Sequence, residues 1–514
     1  MSSPVADYFA GKTLMLTGGT GFIGKVLVEK ILRCCPDVDK IYLLIRPKAG
    51  QDPVDRIKKE FSDCKLYDKL RKTQPNYDKK LIPICSDLVK PNLGLSEEDA
   101  ARLQDEVHIL FHSAATIRFD EKLKLSLELN VVGCQKIIEL SRKMKKLEVF
   151  EHISTAYAHC DKQHIEEIFY PPPADVDKLM DAVSWMTDDM IDKITPQLLG
   201  KKPNTYTFTK AIAEHKIMEL GKGLPICVVR PSIVGAAWKD PFPGWIDNLN
   251  GPSGLFIACG KGFINTMIGD KDVVFDLNPV DFVVNMMITA AWHTAVTRPT
   301  SIPLYNCVTS PKNPFRVGQM TSIQEIYQKI PLEKALRRPS AAFTTNQPLF
   351  EYRFAIGSRI PCYLMDLYLR SIGKRPRMVK ISNQLTRVVH TLKYFTQNDW
   401  VWTNHNTATL QAALSESDRK VYFMDVAEIH WPTYLEQWCI GTKQYILNED
   451  MLAIPAAKRH LRMLRNFRWA FNTLLLILVW RFLIARSQLA RNLWHLVTNL
   501  FFKFVRFFGI SSTQ

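Results

Sequence analysis

The segment Thr17-Gly18-Gly19-Thr20-Gly21-Phe22-Ile23-Gly24 stands where a β-forming run gives way to helical spacing. Lys12 to Thr17 contains Leu14-Met15-Leu16, and from Phe22 the apolar positions fall at Ile23, Val26, Leu27 and Ile31. Three glycines at such a junction restrict the fold severely. Gly18 permits a tight turn. Gly21 removes a Cβ where backbone must approach a pyrophosphate, and Gly24 lets helix and strand pack closely. The helix start then offers free N–H groups and a partial positive charge to phosphates. As the first strand–helix unit of the chain, the pattern implies dinucleotide binding by Thr17 through Gly24.

The next strand, Lys40–Ile45, runs into Arg46-Pro47-Lys48. An acidic residue here would hold the ribose 2′-OH of NAD, whereas an arginine suits the 2′-phosphate of NADP. Arg46 and Lys48 therefore point to NADPH. Further strand-like runs occur at 80–85, 107–112, 148–154 and 225–230, with helical stretches at 96–106, 121–145 and 206–220. Ser96 with Asp99 has the form of a capping box. Strand alternating with helix predicts an α/β fold with a parallel, doubly wound sheet.

Tyr206-Thr207-Phe208-Thr209-Lys210 carries the chemistry. A carbonyl that accepts hydride develops negative charge on oxygen and needs a proton. A free phenol holds its proton with a pKa of about 10. A nearby ammonium favours the phenolate and lowers that value. Tyr206 and Lys210 lie four apart, so both side chains share one helix face. Ser154 and Thr155 stand at the carboxyl end of the fifth strand, where open α/β sheets place ligands and where a hydroxyl can hold the carbonyl oxygen.

These residues resemble the extended short-chain dehydrogenase/reductases. Asp87 after the third strand, Ala114-Ala115 after the fourth, Asn130 in the next helix, Thr155, Tyr206, Lys210 and Pro231 all match that pattern. The resemblance implies that Asp87 contacts the adenine end, that Lys210 also holds the nicotinamide ribose, and that Ala114, Asn130, Pro231 and Ile233 line the cofactor. Thr155 corresponds to the family's catalytic hydroxyl, with Ser154 beside it. The long insertion between Thr155 and Tyr206, with Pro171-Pro172-Pro173 and Trp185, departs from the pattern and leaves the choice between the two hydroxyls open.

Ser154-Thr155-Ala156-Tyr157, Arg230-Pro231-Ser232-Ile233-Val234-Gly235, the segment from Pro241 through Trp245 to Asn248, Gly251-Pro252-Ser253-Gly254-Leu255 and Pro279-Val280-Asp281 resemble animal fatty acyl-CoA reductases. That resemblance extends through the C-terminal third into Leu483-Ile484-Ala485-Arg486-Ser487-Gln488. It implies reduction of a long-chain acyl-CoA to a primary alcohol in two NADPH-dependent steps, for ether-lipid or wax synthesis. It further implies substrate contacts at Trp245, Asn248, Gly251 and Pro252. The implied location is the peroxisomal membrane, with the catalytic part facing the cytosol.

Composition sets the remaining expectations. The 514 residues suffice for two or three domains. They divide into a reductase domain at 1–310, a proline-marked linker at 311–355, a helical domain at 356–450 and a membrane anchor at 451–514. The eleven cysteines have no metal-ligand spacing, so no metal is expected, and Cys34-Cys35 is read as packing. No apolar signal segment opens the chain, and Ser512-Thr513-Gln514 is not the peroxisomal import tripeptide. Ten of the sixteen net positive charges follow Asp450, where no acidic residue occurs. Interleaved with apolar runs, they favour anionic lipid over nucleic acid. Residues 469–485 are a short apolar span, and the apolar residues from Leu493 to Phe508 form the stripe of a helix lying in a membrane interface. Two rival readings stand beside this one: a membrane-bound relative acting on a sterol or sugar nucleotide, and a non-enzymatic NADP-binding scaffold, for which the Tyr206–Lys210 pair has no use. Homo-oligomerisation is left open.

Overall fold

The computed structural model describes residues 3–47 and 53–509; Lys48 and Ser512-Thr513-Gln514 lie outside the described residues. Seven strands form one parallel sheet: β1 (Thr13–Thr17), β2 (Lys40–Ile45), β3 (Leu81–Cys85), β4 (Ile109–His112), β5 (Val149–Ile153), β6 (Ile226–Pro231) and β7 (Leu304–Cys307). Their spatial order is β3-β2-β1-β4-β5-β6-β7. The order reverses between β1 and β4, which opens a crevice at their carboxyl ends. The register aligns those ends, with Thr17 opposite both Leu44 and His112, and Ile153 opposite Val229.

Alternation along the strands builds two separate cores. Leu14, Leu16, Ile41, Leu43, Ile109 and Phe111 face one side, where helices Phe22–Cys34 and Val280–Thr297 cover them. Met15, Tyr42, Leu44, Leu110 and Phe150 face the other, under Ile137 and Ile138 of helix Gly133–Ser141. Both faces are buried, so the strands read as nearly continuous apolar runs. Ser96 caps helix Glu97–Glu106 by accepting from the Asp99 N–H at 3.1 Å. Cys35 packs with its sulfur 3.3 Å from the Tyr422 hydroxyl.

The C-terminal region is helical and is stitched to the sheet domain. Val401–Trp402 pairs with His164–Ile165, and Trp400, Trp402, Trp431 and Trp438 share a core with Ala156, Phe256 and Phe282. Residues 311–355, where proline spacing suggests a linker, place Phe315, Tyr327 and Leu332 in that same core. The prolines break helices there without preventing burial. Beyond it, helix Ile454–Arg486 carries a stretch long and apolar enough to cross a membrane. Helix Gln488–Gly509 follows, and Trp480 and Trp494, flanking the break at Ser487, bring their rings to 6.1 Å. Its apolar stripe, including Leu496, Leu500 and Phe504, remains exposed, so it does not pack on the protein's own core.

Candidate active site

The glycine turn forms a cradle that only small residues allow. Gly18 has φ +74°, and a Cβ there would lie 2.8 Å from the Ala114 nitrogen. A Cβ on Gly24 would run into the Gly18 carbonyl and the Gly19 Cα. Gly21 is the N-cap of helix Phe22–Cys34 and provides no side-chain cap, which leaves the first-turn N–H groups aimed at the crevice. The Thr17 hydroxyl accepts from the Ala114 N–H at 3.2 Å and lies 2.7 Å from His112 Nδ1, tying the turn to β4. The cradle fits the pyrophosphate of a dinucleotide.

Around it, Arg46 lies exposed after β2. Arg56, which the sequence reading did not single out, donates to the Arg46 carbonyl and to the Thr20 hydroxyl, both at 2.9 Å, joining the glycine turn to the end of β2. Asp87, half-buried after β3, accepts from the Val89 N–H at 3.2 Å. Asn130 sits in the wider turn Glu128–Val132. Its Oδ1 accepts from the Thr116 N–H at 2.9 Å, and its Nδ2 donates to the Thr209 hydroxyl at 3.0 Å. It thereby fastens the loop after β4 to the helix of the tyrosine–lysine pair.

That helix is Thr205–Leu220, capped by Asn204, which accepts from the Thr207 N–H at 2.9 Å. Lys210 is buried and donates to the Ile153 carbonyl at 2.7 Å. Burial brings its ammonium down to about 8, opposed by Cys134 and Glu214. Burial pushes the Tyr206 phenol up to about 12, opposed by a hydrogen bond with Thr155. This differs from the expected lowered phenol: desolvation dominates, and the Lys210 ammonium is directed to the Ile153 carbonyl. Tyr206 thus stays protonated at neutral pH.

The two adjacent hydroxyls part company. Thr155 faces Tyr206 and also donates to the Pro231 carbonyl at 3.3 Å. Ser154 points the other way and donates to Glu214 Oε1 at 2.5 Å. Glu214 is the next residue on the face of Tyr206 and Lys210. Arg230 donates to its two oxygens at 2.9 and 2.7 Å, and His159 Nε2 lies 3.0 Å away. Burial alone would raise this carboxyl, but Arg230 and His159 hold it well below the usual carboxylate range. The spacing 206, 210, 214 was a visible signal for this network; its convergence with β6 was not.

Beneath the pair, ligand atoms of His112, Cys134 and His152 lie within 4.8 Å of one another. Burial and Lys210 lower His112 to about 3 and also lower His152, so both rings are neutral. Beside Tyr206 stands an aromatic wall: Phe119 is 5.7 Å from the Tyr206 ring and 5.6 Å from Phe395, which comes from the distant helix Met378–Gln397. Ile233 and Pro231 follow at the end of β6. Trp245 is fully buried and stacks on Phe22 at 5.5 Å, so it backs the glycine turn from inside the core. Asn248 is half-buried and accepts from the Asn250 N–H at 2.9 Å, while Gly251 and Pro252 open helix Pro252–Gly260.

The male sterility protein NAD-binding family model matches residues 16–287, and a second male sterility model matches residues 358–449. Fatty acyl-CoA reductase 1 of Xenopus laevis is 50% identical over 99% of both chains, and that of Homo sapiens is 49% identical over the same shares. Fatty acyl-CoA reductase 2 of Bos taurus is 44% identical, again over 99% of each chain. The chain belongs to the fatty acyl-CoA reductases. It is therefore an oxidoreductase with a nicotinamide cofactor. Among solved structures, the terminal R domain of the myxalamid PKS-NRPS pathway aligns at TM-score 0.57 and 18% identity, covering 86% of this reductase and 93% of that chain. A reductase domain of a nonribosomal peptide synthetase from Mycobacterium tuberculosis aligns at TM-score 0.56 and 18% identity, covering 87% and 95%. At such identity these neighbours establish the fold alone.

Proposed function

We propose that this reductase converts a long-chain acyl-CoA to the primary alcohol at one site, using NADPH twice. The carrying observation is the convergence of Tyr206, Thr155 and Lys210 at the carboxyl edge of the sheet, between the glycine cradle and the Phe119–Phe395 wall. The bound nicotinamide supplies hydride. Thr155 orients the acyl oxygen, and Tyr206, a protonated phenol, gives that oxygen its proton. The first addition makes a hemithioacetal, which loses CoA thiol to leave an aldehyde. A second hydride and a second proton from Tyr206 give the alcohol. Each round leaves a phenolate, which Lys210 stabilises before it is reprotonated. No covalent cysteine is required. The apolar wall suits an acyl chain, and Arg46 with Arg56 supports a 2′-phosphate, since the end of β2 offers no carboxylate.

The exposed apolar tail supports a membrane location. The family resemblance makes it the peroxisomal membrane, with the sheet domain in the cytosol and the product passing to ether-lipid or wax synthesis. The deciding experiment supplies detergent-solubilised protein with palmitoyl-CoA and either NADPH or NADH. Hexadecanol and free CoA, formed with consumption of two NADPH per chain, are expected. Hexadecanal as the sole product would overturn the two-step reading, and equal use of NADH would overturn the cofactor reading.

A further inference from the structure

Helix Ile360–Ser371 is turned inside out. Its apolar stripe runs through Ile360, Tyr363, Leu364, Leu367 and Tyr368, the spacing of a core-facing helix. Tyr363, Leu364, Leu367 and Tyr368 are nevertheless between 58% and 65% exposed. The side turned to the protein carries Cys362 and Asp366. Asp366 accepts from the N–H groups of Arg377, Met378 and Val379, each at 2.9 Å, and so caps the following helix Met378–Gln397. The orientation is fixed by that cap, and water alone gives no reason for it. Contiguous exposed apolar surface of this kind marks a contact site.

Charge and position identify the contact. Between Tyr352 and Asn398, nine Lys and Arg stand against one acidic residue, the buried Asp366. Beneath the helix, a cleft of about 520 Å³ is lined by Pro361 and Met365 on one side and by Arg465, Phe467, Arg468 and Trp469 on the other. The latter belong to helix Ile454–Arg486 at the point where its apolar span begins. Arg337 also lines the cleft, and its Nε and Nη2 are buried without a hydrogen-bond partner. Burial, with Arg468 adding to it, lowers the Arg337 guanidinium below its ordinary value, as expected of a cation that lacks its anion.

We propose that this face is a second membrane contact, beside the apolar span of the tail and sharing the start of its helix: the stripe of helix Ile360–Ser371 enters the interface of an anionic phospholipid bilayer, and the arginines of the cleft take a lipid phosphate. An amphipathic helix lying in the interface does this with apolar side chains below and cations at headgroup level. Lys and Arg near an anionic surface add electrostatic attraction to the apolar insertion. A second copy of the chain on this face would bring like charge onto like charge. The contact places the sheet domain close to the bilayer from which an acyl substrate comes and into which an alcohol product goes.

The test uses the full chain with p-benzoylphenylalanine at position 364, reconstituted into phosphatidylcholine vesicles with and without phosphatidylserine. Leu364 is exposed, so the replacement leaves the fold intact. On illumination, covalent lipid adducts at position 364 are expected, at a yield several-fold higher with phosphatidylserine. Arg465→Glu with Arg468→Glu is expected to abolish that gain. Absence of lipid adducts, or adducts only to a second copy of the chain, would overturn the proposal. A yield indifferent to phosphatidylserine would overturn the phosphate site. Carbonate extraction of the same vesicles reports the tail by itself, and alcohol formation reports the chemistry, so each reading fails independently.

Discussion

Leu27 and Leu476 both lie inside helices, one fully buried and the other 70% exposed. Helix Phe22–Cys34 closes its apolar side on the sheet, while Ile454–Arg486 leaves nearly all of its apolar side chains bare. Charged groups divide the same way. In the sheet domain Lys210, Glu214 and Arg230 are buried, and each finds a partner within the chain. The tail after Asp450 has ten basic residues and no acidic one. One region satisfies its surfaces internally; the other leaves its apolar surface uncovered by the rest of the chain. The same residue types therefore have opposite consequences when changed, and the contrast can be tested in order of effect.

The largest effect is expected at the proton donor. Tyr206→Phe leaves the packing beside Phe119 and Thr155 but removes the acid. General acid catalysis contributes about 10²–10⁴-fold, and kcat/KM is expected to fall by that order while cofactor affinity holds. Near-parental turnover would take Tyr206 out of the chemistry.

Glu214→Gln attacks the internal satisfaction of the sheet domain. It keeps the shape but removes the charge on which Arg230 and His159 converge. Removing one partner of a buried ion pair costs about 3–5 kcal/mol. Denaturant unfolding of the detergent-solubilised chain is expected to show a loss of that order. A loss below about 1 kcal/mol would mean that water already reaches the pair.

Lys210 is expected to set an alkaline limb. Its ammonium is held near 8, below its ordinary value, chiefly by burial. Below that pH the charge is present and stabilises the phenolate of Tyr206; above it the charge is lost. The kcat/KM profile should thus fall about tenfold per pH unit above 8, because it reports ionisations of the free enzyme. In Lys210→Arg the guanidinium stays charged, and the limb should vanish even though overall activity is lower. Retention of the limb in that variant would assign it to another group.

How far the sequence could be read follows this same contrast. β1, β2 and the glycine turn were legible because period, apolar run and helix start are local signals. Helix Thr205–Leu220 and its tyrosine–lysine face were legible for the same reason. β7 and the helix Val280–Thr297 were not read; the helix is buried on nearly every side and so carries no amphipathic period. At the site, local reading named candidate residues but not their setting. It left Ser154 and Thr155 undivided, because only the fold shows that Glu214 claims the first and Tyr206 the second. It missed Phe395 beside Phe119 and Arg56 beside Thr20, contacts made by chain folding between distant segments. It also expected Lys210 to lower the phenol, since a sequence does not display desolvation.

The smallest effect is the most direct check on the contrast. Leu27→Ala removes methylenes from a closed core and is expected to cost about 2–5 kcal/mol. Leu476→Ala removes the same atoms from a side chain that no other part of the protein covers. In detergent its unfolding free energy should match the parent within about 0.5 kcal/mol, the range of surface substitutions that touch nothing. Activity on a short, soluble acyl-CoA should be unchanged. Placing a carboxylate at the same point, Leu476→Asp, should again leave fold and soluble activity alone but weaken retention in carbonate-washed membranes. An acidic residue at the centre of a spanning helix costs about 2.5–3.5 kcal/mol on insertion. A destabilised fold in Leu476→Ala would mean that the tail packs against the domain; full retention of Leu476→Asp would mean that residues 469–485 do not span.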